Sequence, residues 1–192
     1  MVVAEEGKPL RADARLNQDR LLEAAARAFA KEGVGASLKA VAKDAGVGIG
    51  TLYRRFPTRE TLVEATYRNE VARLCDSVPD LLETTNPADA LRTWMDRFVA
   101  FMAAKHGMAD TLKAVLTADG ELRMRTRDLL TDALETLLSA GTANGALRRD
   151  VDTNDVLMGL GGVTLIAGEP GQEALAGRLL DLLVDGLRYQ AS

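Results

Sequence analysis

The sequence predicts an all-α fold, on three observations. Apolar residues recur at three- and four-residue spacing, strand-type aromatic runs are scarce with only 4% aromatic residues, and five prolines interrupt 192 residues. With 47% hydrophobic and 27% charged residues the chain has the makings of a core and is not of disordered type. The expected architecture is an N-terminal three-helix helix-turn-helix unit over residues 1–62, followed by an antiparallel helical bundle over 63–192.

In "NQDRLLEAAARAFAKEGV" the residues Leu21, Leu22, Ala25, Ala26, Phe29 and Ala30 share one helical face, with Asn17 as N-cap and Gly33 as stop. Ser37 caps the next helix, "LKAVAKDA", whose Leu38, Val41, Ala42 and Ala45 line one face before Gly46 ends it. A third short helix, "IGTLYRRF", places Leu52 and Phe56 together at i and i+4 and leaves Thr51, Tyr53, Arg54 and Arg55 pointing elsewhere. Thr58 then caps "RETLVEATYRNEVARLC", with Glu60 in the first turn where the helix dipole favours an anion.

Two short helices joined through a tight glycine-containing turn form the helix-turn-helix pattern, whose second helix enters a major groove. Gly46 frees the turn, Val47 plugs the space between the helices, and Gly48 and Gly50 keep the leading end of the third helix bare. Thr51 and Tyr53 can hydrogen-bond phosphates, and arginine can do that or bind guanine bidentately. Singly, each has an ordinary alternative: a core tyrosine with a wet hydroxyl, or arginines in solvent. Placed together opposite Leu52 and Phe56, the set favours contact with DNA.

Charge agrees. From Lys8 to Arg59 there are eleven basic residues against five acidic ones, whereas the whole chain carries −4. A basic unit joined to an acidic one is the asymmetry expected when one part meets a polyanion.

The stretch "SLKAVAKDAGVGIGTLYRRFPTRETL" resembles the TetR (tetracycline-repressor-like) transcriptional regulators, and the likeness runs from about Asn17 to Leu62. It implies DNA contacts from Ser37, Lys39, Thr51, Tyr53, Arg54, Arg55 and Arg59, and from Arg11 and Arg15 on an N-terminal extension along the minor groove. Three positions depart from the usual pattern: Gly48 stands where serine is common, Arg55 where histidine is, and Arg59 where lysine is. Glycine is a tolerable N-cap, weaker than serine by a few tenths of a kcal/mol. The arginines keep or add positive charge.

In the second half, Asn86 followed by Pro87 opens a helix whose Leu91, Trp94, Met95, Phe98, Phe101 and Met102 share a face. An ordinary core stripe accounts for that face. Aromatic and methionine surfaces also adapt to apolar ligands, which makes Trp94, Met95, Phe98, Phe101 and Met102 a candidate cavity wall, with Leu112, Leu116, Met124 and Met158 from neighbouring helices. The resemblance implies an inducer pocket in this region. The turn "GALRRDVD" leads to a helix that Asp152 can cap. Val156 to Gly168 carries no charge, so this helix is expected to be buried on more than one face. With "EALAGRLLDLLVDGLRY" it offers Val156, Leu160, Val163, Leu175, Leu179, Leu182 and Leu183 to a two-fold interface between copies, and the resemblance implies the same dimer.

A single histidine, His106, a single cysteine, Cys75, and no nucleotide-binding glycine loop argue against an enzyme, a metal or a cofactor. No signal-peptide pattern or bilayer-length apolar run is present, so a cytoplasmic protein is expected. The reading is a homodimeric regulator of double-stranded DNA at a pseudo-palindromic operator, acting as a repressor released by a small-molecule effector. The alternatives are an activator or ligandless regulator with the same head, or a helical interaction module that does not read DNA.

Overall fold

The structure is a computed structural model that describes residues 7–167 and 171–188, with side chains described from residue 16 onward. Its elements are α1 (Gly7–Glu32), α2 (Leu38–Asp44), α3 (Ile49–Arg55), α4 (Arg59–Thr84), α5 (Pro87–Gly107), α6 (Ala109–Ala118), α7 (Gly120–Ala143), α8 (Thr153–Ala167) and α9 (Glu173–Leu187). Among the described residues there is no strand, only one isolated antiparallel bridge, Leu147 to Arg188. The all-α expectation holds.

Helix starts and stops follow their local chemistry. The Ser37 hydroxyl accepts from the Ala40 amide, the Asn86 side chain from the Asp89 amide ahead of Pro87, and Asp152 from the Asn154 amide at 2.8 Å. Thr58 and Thr61 form a reciprocal capping box at the start of α4.

Two boundaries differ from expectation. α1 does not begin at Asn17 but ten residues earlier, at Gly7, because the alanines, leucines and arginines before Asn17 are good helix formers. Pro9 falls within the first turn, where its missing N–H has no intrahelical partner to lose. α4 continues past Cys75 to Thr84, carrying Pro79 inside it, so the Cys75 carbonyl lacks its usual i+4 donor.

A single apolar core runs from Leu21 on α1 to Leu187 on α9. α1, α4 and α5 pack on one another at one end, α4, α5 and α7 at the middle, and α8 with α9 forms an outer layer against α5 and α7. Trp94 is fully buried and donates its indole N–H to the Leu74 carbonyl at 3.1 Å, joining α5 to α4. Tyr67, Phe98 and Phe101 extend the same cluster, with ring centres 5.9 Å and 6.0 Å apart for Tyr67–Phe101 and Phe98–Phe101.

Candidate nucleic-acid interface

The α2–α3 turn is built from its backbone outward. The Val47 amide reaches back to the Ala42 carbonyl at 2.9 Å and the Gly46 amide to Lys43 at 3.1 Å, which is the Schellman closure of a helix. It requires a left-handed residue at Gly46, whose φ is +71°. Val47 packs half-buried against the core, so α3 leaves the turn with Leu52 fully buried and Phe56 nearly so. Burying a leucine of this kind contributes about 1.5–3 kcal/mol, which fixes the rotation of α3 about its axis.

That rotation turns Thr51, Tyr53, Arg54 and Arg55 outward, with Tyr53 51% exposed. Ser37 and Lys39 are exposed at the start of α2. Gly48 caps α3 with no side-chain bond, and a Cβ on Gly50 would meet nothing within 4 Å, so the leading end of α3 is open to close approach. Arg54 and Arg55 border a groove of about 560 Å³ between α1 and α3, floored by Leu21 and Val47 and edged by Asn17, Gln18 and Thr51. Arg55 donates to the Gln18 side-chain oxygen, tying α3 to α1. Arg27 reaches Asp44 at 2.7 Å and pins the end of α2 to the same helix. Arg11 and Arg15 lie in the opening turns of α1, and their side chains fall outside the described residues.

Arg59 is placed differently from the others. Its guanidinium turns back over the loop between α1 and α2 and donates to the Val34 carbonyl and, at 3.1 Å, to that of Ala36. Half-buried, it fastens the first turn of α4 to the head. The physical reason is that the Val34 and Ala36 carbonyls lie in the loop just past the end of α1, where a cation supplies them with a donor and meets the negative end of the helix dipole.

Comparison with known proteins agrees with this geometry. Residues 21–66 match the bacterial regulatory proteins of the tetR family, and residues 86–189 match the C-terminal domain of SbtR-like transcriptional regulators. The chain belongs to the TetR family of transcriptional regulators. A TetR transcriptional regulator of Streptomyces coelicolor is 51% identical, with a TM-score of 0.85 over 91% of this chain and 99% of that one. A TetR regulatory protein of Mycobacterium vanbaalenii is 34% identical, with a TM-score of 0.74 over 94% of this chain and 100% of the other. The fatty acid metabolism regulator protein of Bacillus subtilis is 22% identical over 88% of this chain and 94% of its own. As a TetR-family chain it is a DNA-binding transcriptional regulator and not an enzyme. Among the described residues no helix is long and apolar enough to cross a membrane.

The residues expected to line a TetR-type inducer pocket fall into three places. Trp94, Met95, Phe98 and Phe101 are buried in the close-packed core between α4, α5 and α7, with Met102 half-buried beside them. Within that core the Thr66 hydroxyl is buried without a hydrogen-bond partner, and burial pushes the Tyr67 phenol above its usual range. Leu112 and Leu116 border a separate groove at α6. Met124 and Met158 are more than half exposed, on α7 and α8.

The outer helix pair also divides. Val156 and Leu160 are 3% and 0% exposed, turned into their own protomer, and Val163, Leu175, Leu179 and Leu183 are half-buried. The bare face belongs to Met158, Leu165 and Ile166 on α8, and to Leu182 on α9. Steps of about 100° per residue separate the two sets on α8: positions 156, 160, 164 and 167 face inward and 158, 162, 165 and 166 outward. The uncharged helix is thus buried on one face within the chain, not on several. A bare, contiguous apolar face of this kind marks a contact surface.

Proposed function

We propose that this TetR-family chain is a homodimeric repressor that α3 seats on a pseudo-palindromic operator and that a small molecule releases. The observation that carries the reading is the span of α4. Its first turn is fastened to the head by Arg59, and eight residues on, Tyr67 sits in the aromatic cluster of the second half. A ligand that rearranges that cluster moves α4, and α4 takes the head with it. Release requires that the ligand prefer the DNA-incompetent arrangement, because equal affinity for both would shift nothing.

In this reading Tyr53, Thr51, Ser37 and Lys39 hold phosphates and Arg54 and Arg55 face the major groove, with Arg11 and Arg15 on the arm. The head is residues 1–62 and the effector half 63–192, the division falling inside α4 between the buried Leu62 and Val63. The packed core around Trp94, Met95, Phe98, Phe101 and Met102, with the neighbouring α6 groove bordered by Leu112 and Leu116, is the ligand-responsive region, and the exposed Met124 and Met158 lie outside it. Two copies meet through α8 and α9, Leu165, Ile166 and Leu182 at the centre and Val163, Leu175, Leu179 and Leu183 around them, while Val156 and Leu160 support the face from behind. The two heads then read half-sites about 34 Å apart or a multiple of that.

The test is a reporter gene placed behind an operator selected from random duplexes, in a host without other regulators of the family. The wild-type protein lowers expression and the double variant Tyr53→Ala, Arg54→Ala does not. Expression that rises with the wild-type protein would make it an activator.

A further inference from the structure

At the corner where α5 ends and α6 begins, a groove of about 640 Å³ is lined by Lys105, His106, Lys113 and Arg123 around a floor of Ala109, Leu112 and Leu116. No carboxylate lines it. Among the described residues none of the four basic side chains is within ion-pair distance of an Asp or Glu, although eleven such pairs exist elsewhere on the surface. Lys105 is half-buried, and burial alone pushes its ammonium below the usual lysine range, with no anion beside it to raise it again. In an acidic protein, a patch of four basic side chains without a counter-ion over an apolar floor is unusual: solvation alone favours exposed lysines, not one sunk beside leucines.

We propose that this groove binds a small amphipathic organic anion, its carboxylate or phosphate ester held among Lys105, Lys113 and Arg123 and its hydrocarbon laid over Ala109, Leu112 and Leu116. The apolar floor separates this from a simple anion site and from a stretch of DNA backbone, neither of which needs leucines. Histidine at the rim adds a donor, and Thr117 also lines the groove. The volume suits a ligand of modest size.

The position gives the groove a route to the head. His106 precedes Gly107, which meets α1 backbone to backbone: a Cβ there would lie 1.8 Å from the Phe29 carbonyl oxygen. α6, which forms the other bank, packs against α4. An anion drawing α6 towards the end of α5 therefore acts on the two helices that position the head. This regulatory meaning rests on the effector-released reading, whereas binding itself does not.

Calorimetric titration of the full-length protein with octanoate, octyl phosphate, octan-1-ol and inorganic phosphate tests the proposal. Octanoate and octyl phosphate should bind at least tenfold more tightly than octanol and inorganic phosphate. Lys105→Met should weaken both by tenfold or more. Lys113→Gln with Arg123→Gln, both exposed and so harmless to folding, should do the same. Octanol binding as tightly as octanoate, inorganic phosphate as tightly as octyl phosphate, or affinities untouched by the double variant would each overturn the site. A lower salt slope of DNA binding in that variant, with no change for octanoate, would assign the cations to DNA phosphates instead. Octanoate binding that leaves operator affinity unchanged upholds the site and contradicts release through it. Release by a compound that still acts on the double variant, where octanoate does not bind the wild type, contradicts the site and leaves effector release standing.

Discussion

The Arg59 guanidinium donates to the Ala36 carbonyl at 3.1 Å, so α4, which runs on into the second half of the chain, is hydrogen-bonded to the loop that leads into the α2–α3 pair. Resemblance alone places Arg59 on a phosphate. Its observed partners predict a different signature: Arg59→Ala lowers operator affinity while the slope of log K against log salt stays as in the wild type. A slope shallower by about one unit would return Arg59 to the phosphates.

Arg54 and Tyr53 carry the opposite expectation. Both are exposed on α3, and Arg54→Ala should reduce affinity and, for a phosphate contact, the salt slope by about one; for a base contact it should relax discrimination at one operator position by about 1–3 kcal/mol. Binding curves at several salt concentrations, on operator and single-base variants, separate the two roles. Tyr53→Ala weakens all duplexes alike.

A Cβ on Gly107 would lie 1.8 Å from the Phe29 carbonyl oxygen, so α5 and α1 meet backbone to backbone there. Gly107→Ala must displace backbone from backbone, and overpacking of this sort costs about 1–3 kcal/mol or more. Denaturant unfolding should show the midpoint falling with little change in slope. An unchanged midpoint would mean that the two helices do not meet so closely.

The apolar face of α8 and α9 predicts a clean oligomer phenotype. Leu165 and Leu182 are 79% and 68% exposed in the single chain, so Leu165→Glu with Leu182→Glu leaves the core intact. The variant should sediment as a folded monomer and bind DNA half-sites only weakly. Val156→Glu, by contrast, places a charge in the protomer core and should unfold it.

Asp150 supplies a pH test. Arg148 grips both its carboxylate oxygens at 2.7 Å and holds its pKa down to about 2 from the usual 3.8. A carboxylate whose folded pKa is depressed contributes stability that is complete above its unfolded value and is lost as pH falls through the folded one, here between about 3.8 and 2. Carboxyl NMR should find the low midpoint in the wild type and one nearer 3.8 in Arg148→Gln.

The head was legible because its signals are local. Ser37, Gly46, Leu52 and Phe56 each declare a cap, a turn or a buried face within a few residues, and the exposed set on α3 follows from them. The outer helices were less so. A helix apolar all round does not say which side its own protomer takes, and only the packing of α8 on α7 and α9 turns Val156 and Leu160 in and Leu165 and Ile166 out. Asn17 looked like a cap because its residue type suits one, yet nothing before it stops a helix. Ile49, 38% exposed at the head of α3, and Gln18, the partner of Arg55, gave no sequence signal of a place at the interface. The basic groove was invisible for another reason: Lys105 and Arg123 are distant in sequence and come together only through the α5–α6 corner.

α3 is expected to read a specific base sequence. Fluorescence anisotropy of the full-length protein, titrated at near-physiological salt onto a duplex selected from random DNA and onto a scrambled duplex of equal length, tests it most directly. The selected duplex should be preferred by about a thousandfold or more, and Tyr53→Ala with Arg54→Ala should weaken binding to it. Equal, weak binding to both duplexes, unaltered by those substitutions, would contradict that expectation.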